Sequence, residues 1–256
     1  VPWTFAHPAA ILPLRSLCPR WLSLPALIIG SLAPDMSYYV GMHARWSAFC
    51  HTALGVVTVC LPVSLLLFAL LQRFARPLTV LLPVPHREIA REQLHPPARA
   101  AWQGLVVVVA SILLGATSHV VWDAFTHAGR WGASLLPLLD RPLFVALDRE
   151  FQLFNLLQHL STAVGVAAIA TVYCRALRAR CGATASPQDT RRRQLLLALF
   201  TSAAAAGATA AWVLTPPAQP AYVSHLIVHT VVWSTSCLAL LFVLASLAWW
   251  RRHGDA

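Results

Sequence analysis

The decapeptide SHVVWDAFTH, residues 118–127, sets two imidazoles and a carboxylate at intervals of four: His119, Asp123 and His127. Residues four apart are neighbours on one face of a helix. His119 and Asp123 therefore point the same way, and His127 follows a turn later and somewhat around the axis. Imidazole nitrogen and carboxylate oxygen suit zinc, with manganese and iron as further candidates. A carboxylate has two oxygens and can bridge two ions, and a pair of ions can polarise a phosphoryl oxygen and activate water. The three residues also sit in apolar sequence, just after GLVVVVASILLGA. A lone Asp near the centre of a membrane helix costs roughly 2.5–3.5 kcal/mol, and a bound cation offsets that cost. The alternative is that each histidine bonds a backbone carbonyl or a hydroxyl inside a helical bundle.

The elements that must position these residues follow from composition. Of 256 residues, 58% are hydrophobic and 11% charged, against about 25% charged in a soluble domain. The expected fold is all-α: a single integral-membrane domain over 1–256, with short N-terminal helices over 1–50 and a bundle of about five transmembrane helices over 51–252. Apolar runs at 51–72, 103–126, 152–174, 194–214 and 222–250 each reach the roughly 20 residues a membrane helix needs. The first 50 residues are apolar but broken by Pro8, Pro13, Pro25 and Pro34, which predicts short interfacial or re-entrant helices. A sixth span there is the alternative. The six cysteines form no CxxC spacing and read as small apolar residues. No secretory signal pattern opens the chain, and Val1 reads as an initiator codon translated literally.

Arginine gives the orientation. The chain contains no lysine, and its formal net charge is +10. The connections at 73–101 and 174–193 and the C-terminal tail are rich in Arg. Segment 128–151 matches Arg130, Arg141 and Arg149 with Asp140, Asp148 and Glu150, and TPPAQPAY carries no charge. By the positive-inside rule the Arg-rich connections and the C-terminus are cytoplasmic. Membrane orientation accounts for the positive charge, so no nucleic-acid partner is expected. With the sides assigned, His51, His119, Asp123, His127, His159, His225 and His229 all fall at the outer ends of their spans. That shared depth points to one site. His225 and His229 are possible accessory ligands, with a polar stripe inside the bundle as the equal alternative. His7, before Pro8, and Asp35, after Pro34, are further candidates whose other reading is capping and turn formation.

The blocks VPWTFAHPAAILPLRS, ALIIGSLAPDMSYYV, HTALG, SHVVWDAFTH and QHLST occur in an order that resembles a bacterial membrane family, domain of unknown function 4184. That family in turn resembles membrane-bound metal-dependent hydrolases and, more distantly, zinc-dependent phospholipase C and the single-strand-specific zinc nucleases. Those distant enzymes are helical, bind three zinc ions, and use a ligand run of His, Asp, His, then His-xxx-Asp, then His, then His-xxx-Glu or Asp. The resemblance implies a metal set of His7, Asp35, His51, His119, Asp123, His127 and His159. Asp123 would bridge two ions, His127 and His159 would belong to another, and Asp35 and Asp123 would be the catalytic carboxylates. The pattern breaks at Ala163, four after His159, where a final carboxylate is absent, and at Trp3, which is not terminal. One or two divalent ions, zinc first, are therefore expected rather than three, unless His225, His229 or Glu150 completes the set.

The function expected is hydrolysis of a phosphoester, with a lipid or lipid-linked head group as substrate and membrane lipids as partners. The site would face outward from a bacterial cytoplasmic membrane. The rivals are a metal-binding or transport protein without catalysis, a haem protein, and a member that keeps the fold without activity. Against transport, the inner halves of the spans carry almost no polar ligands. Against haem stands the adjacent Asp123.

Overall fold

A computed structural model describes residues 3–18, 20–41, 44–94, 100–146, 149–180, 186–217 and 222–255. Val1, Arg99, Asp148, Cys181 and positions 218–221 of the TPPAQPAY connection lie outside these residues. Among the described residues, five helices are long and apolar enough to cross a membrane: Ala53–Arg73, Trp102–Thr126, Leu153–Arg178, Pro187–Leu214 and Tyr222–His253. They are the first to fifth spans below. Their large side chains point outward to an unusual degree, with Leu105, Val106, Leu197, Phe200, Leu240 and Leu244 all exposed. A surface of that kind is stable against hydrocarbon and not against water.

The proline-broken N-terminus folds as short helices. Pro8–Leu17 (α1) begins on the proline and has 10 residues, and Leu24–Leu32 (α2) has 9. Both fall well short of the roughly 20 residues needed to span. α2 runs on into a 3-10 turn, Ala33–Asp35, and a further helical turn, Met36–Tyr39. α2 packs against the middle of the second span at two glycines. A Cβ on Gly30 would lie 2.3 Å from the Ile112 carbonyl oxygen, and one on Gly115 would lie 2.3 Å from that of Leu27. Small residues allow this backbone contact in a membrane bundle. Ser23 N–H also donates to Ser111 Oγ at 2.9 Å, which ties the start of α2 to the same span.

The chain divides into two compact units, Val1–Ala69 with Pro97–Tyr173, and Leu70–Pro96 with Cys174–Ala256. In the first unit, the connection after the second span turns through Gly129 at φ 68°. It continues into a two-stranded antiparallel hairpin, Pro142–Ala146 with Arg149–Gln152. The charges of this connection gave no sign of strands. The stacked rings of Phe144 and Phe151, 5.0 Å apart, hold the two strands together.

In the second unit the fourth and fifth spans pack closely. A Cβ on Gly207 would lie 2.2 Å from the Ser234 nitrogen. The fourth span begins at Pro187, seven residues before the apolar run starts at 194, because the polar residues there are used in helix formation. Ser186 and Asp189 form a reciprocal capping box, satisfying free N–H groups of the first turn. Arg192, expected as a solvated orienting charge, is instead buried. Its guanidinium donates to Asp189 Oδ1 at 3.0 Å and lies over the Trp249 ring. Val84 N–H also donates to Asp189 Oδ1.

Candidate metal centre

Separate pieces of the first unit deliver the ligand-bearing side chains. His7 precedes Pro8 at the cap of α1. Asp35 ends the 3-10 turn after α2. His51 closes the helix Ala44–Cys50, immediately before Thr52, whose hydroxyl accepts from Gly55 N–H and caps the first span. His119 and Asp123 project from the last turns of the second span, and His127 is its C-cap.

Asp35, His51, His119 and Asp123 are all buried, and one potential ligand atom from each lies within 4.8 Å of the others. His51 Nε2 is 3.3 Å from His119 Nε2, 3.2 Å from Asp123 Oδ2 and 3.5 Å from Asp35 Oδ1. His119 Nε2 is 3.5 Å from Asp123 Oδ2 and 3.7 Å from Asp35 Oδ1. Ligand bonds of about 2.0 Å in a tetrahedron place the ligand atoms about 3.3 Å apart, close to the separations found here.

Protonation strengthens the case. His51 Nδ1 lies 2.7 Å from the Ser47 carbonyl oxygen, and His119 Nδ1 lies 2.7 Å from that of Ser31. A carbonyl only accepts, so both Nδ1 atoms carry the hydrogen, and in the neutral rings both Nε2 atoms are bare lone pairs. Two lone pairs from imidazoles and two carboxylates then face one another with no hydrogen between them. Only a cation or an added proton makes that arrangement attractive. Donation of the outer ring N–H to a carbonyl is also how metal-binding histidines are usually oriented.

Asp35 is held from its other side, where Thr4 Oγ1 donates to Oδ2 at 2.7 Å, leaving Oδ1 for the cluster. Burial works to raise the Asp35 carboxyl, but when the cluster holds a proton in place of a cation, protonated His119 together with His51 holds it at about 2. Asp123 uses both oxygens. Oδ2 faces His51 and His119, while Oδ1 lies 3.5 Å from His7 Nε2 and 3.5 Å from His127 Nδ1. His7 stacks on His119 with ring centroids 3.8 Å apart. Burial, and then the neighbouring His119, push the His7 imidazole down to about 3, so it is neutral near pH 7. His7 Nε2 and Asp123 Oδ1 are both buried without a hydrogen-bond partner. Leaving such atoms unsatisfied is expensive, and here the two point at each other.

His7, Asp35, His51, His119, Asp123 and His127 thus lie together. His159 does not point into this group: it is exposed, with its ring 6.4 Å from Phe151. The preceding residue, Gln158, is the buried one, and its amide lies 3.1 Å from His127 Nε2. In the second unit, His229 Nδ1 lies 2.8 Å from Thr215 Oγ1 and 6.1 Å separates the ring centroids of His225 and His229. Glu150 is exposed in the hairpin. Sequence reasoning missed Thr4 and Gln158, which support ligands without being metal-binding types. The signal for each was proximity, since Thr4 lies one helical turn before His7 and Gln158 lies inside the QHLST block.

A helical membrane protein with a buried His–Asp group able to hold a metal ion is the class that this fold and geometry define. The chain belongs to the family described as a domain of unknown function, DUF4184, whose family model matches residues 1–247. No curated protein and no solved structure matches it.

Proposed function

We propose that this protein is a membrane-embedded, metal-dependent phosphoester hydrolase whose substrates are lipid or lipid-linked head groups. The carrying observation is the convergence of bare lone pairs from His51, His119, Asp35 and Asp123, with the second Asp123 oxygen turned to His7 and His127. Nitrogen and oxygen donors at near-tetrahedral separations favour zinc among common divalent ions. A divalent ion held there would supply Lewis acidity toward a phosphoryl oxygen. Asp35 and Asp123 contribute the negative charge that retains a cation, and Thr4 and the two backbone carbonyls hold the ligands in orientation. His127, whose side chain is 25% exposed, stands at the rim where a head group and its water would arrive. The arginine distribution supports a rim at the outer face of a bacterial cytoplasmic membrane with the C-terminus inside.

A second reading is a metal-binding protein without catalysis. It is favoured by the deep burial of the four-residue group, since closed four-ligand zinc sites are structural and catalytic ones keep a position open. Purification without chelator, metal analysis and turnover of lipid and generic phosphodiesters separate the two. Hydrolysis that disappears in Asp123→Asn together with at least one metal equivalent supports the enzyme. Tightly bound metal with no turnover on any of these substrates supports the structural site. A protein that binds no divalent metal refutes both.

A further inference from the structure

A cavity of about 210 Å³ opens beside the cluster, between the start of α1, Trp122 of the second span and the middle of the third span. It is smaller than the roughly 300–1,000 Å³ of pockets that enclose a whole drug-sized ligand, so it fits one segment of a larger molecule. Its walls are made of small residues, among them Ala6, Ala10, Gly165 and Ala168. Gly165 is where α1 and the third span come closest: a Cβ there would lie 2.9 Å from the Ala6 carbonyl oxygen.

The hydroxyls in the wall are already used. Ser161 Oγ and Thr162 Oγ1 each donate to the Gln158 carbonyl oxygen at 3.0 Å, and Trp122 Nε1 donates to Ser161 Oγ at 3.3 Å. A polar ligand would therefore find few free partners along these walls. His7 is part of the lining, and its Nε2 lies 3.5 Å from Asp123 Oδ1. At the rim, Val164 is 60% exposed, on a helix long and apolar enough to lie in lipid.

From these walls, and from their continuity with the cluster through His7, we infer that the cavity holds one hydrocarbon chain of a membrane lipid whose phosphate end lies at the His–Asp cluster. The assignment of the head group rests on the hydrolase reading, whereas the occupancy of the cavity by a chain does not. An apolar slot lined in part by His7, next to the cluster, would select for chain-bearing phosphoesters over soluble ones.

The full-length protein in vesicles of phosphatidylglycerol, doped with phosphatidylglycerol that carries a diazirine on one acyl chain, tests this directly. Illumination should label α1 and the Ser161–Ala168 face of the third span. Ala168→Trp fills the cavity, and labelling there should fall at least about tenfold while labelling of exposed Leu240 on the fifth span is unchanged. Ala168→Leu should give a smaller fall, which keeps the test usable if the larger side chain prevents folding. Equal labelling of this face in wild type and both folded variants, or labelling that spares α1, overturns the inference. Cavity labelling without turnover of any lipid phosphoester would leave the chain site standing and count against the hydrolase. Turnover of a lipid phosphoester with no cavity labelling would do the reverse.

Discussion

Two of the side chains that shape the cluster have no metal chemistry of their own. Thr4 donates to the Asp35 oxygen that faces away from the cluster, and Gln158 contacts the far nitrogen of His127. Losing such a support typically weakens metal binding 10–100-fold. Thr4→Val is therefore expected to reduce metal affinity by roughly that factor in a folded protein, with Thr4→Ser near wild type. Titration with a competing chelator measures it, and an unchanged affinity in Thr4→Val would show that Asp35 needs no help. Metal removal has its own signature. Without a cation, buried lone pairs and two carboxylates oppose one another, so chelation should lower the thermal midpoint in detergent. Restoring zinc at about 1,000 times its dissociation constant should recover about 4 kcal/mol. A midpoint indifferent to chelator and zinc would argue that protons, not metal, hold the group together.

At the scale of elements, the cluster depends on how closely α2 meets the second span. Ser31 is the carbonyl partner of His119, and it lies beside Gly30, which touches Ile112. Gly115→Ala forces a Cβ to within 2.3 Å of the Leu27 carbonyl oxygen unless the backbones part. Overpacking of this kind commonly costs about 1–3 kcal/mol, and parting the helices also moves the Ser31 carbonyl. The variant should lose both stability and metal. Gly104→Ala is the control on the same helix, since a Cβ there meets nothing within 4 Å. It should be neutral or stabilising by up to about 1 kcal/mol. Equal behaviour of the two variants would remove close packing as the cause. In the fourth span, Asp189→Ala leaves the buried Arg192 without its carboxylate. Breaking such a pair is expected to destabilise by about 3–5 kcal/mol, readable as a lower unfolding midpoint.

For the whole molecule, the arginine bias and the position of the cluster make one claim about sidedness. Leu138 is exposed in the connection after the second span. In a cysteine-free background, Leu138→Cys should react with a membrane-impermeant maleimide added to intact cells. Reaction only after permeabilisation would put the cluster on the cytoplasmic side and replace the outer-leaflet substrate with an inner one.

The five spans were legible from sequence because hydropathy over about 20 residues is a local property and lipid imposes it on each segment separately. The His119–Asp123 face was legible for a similar reason, since helical spacing alone brings residues four apart together. The start of the fourth span was not, because Asp189 and Arg192 look like loop residues until one sees that each satisfies the other. Nor was the choice between Gln158 and His159. The third span is apolar almost all round, as a helix in lipid can be, so no stripe marks its inward face. Only its packing against α1 at Gly165 and its approach to His127 turned Gln158 inward and His159 outward. The same holds for the cluster as a whole. Its members come from sequence positions as far apart as His7 and His127, and its lone pairs meet because Gly30 and Gly115 let two backbones touch. Residue types and spacings supplied the ligands; long-range close packing, which no local pattern encodes, supplied their arrangement.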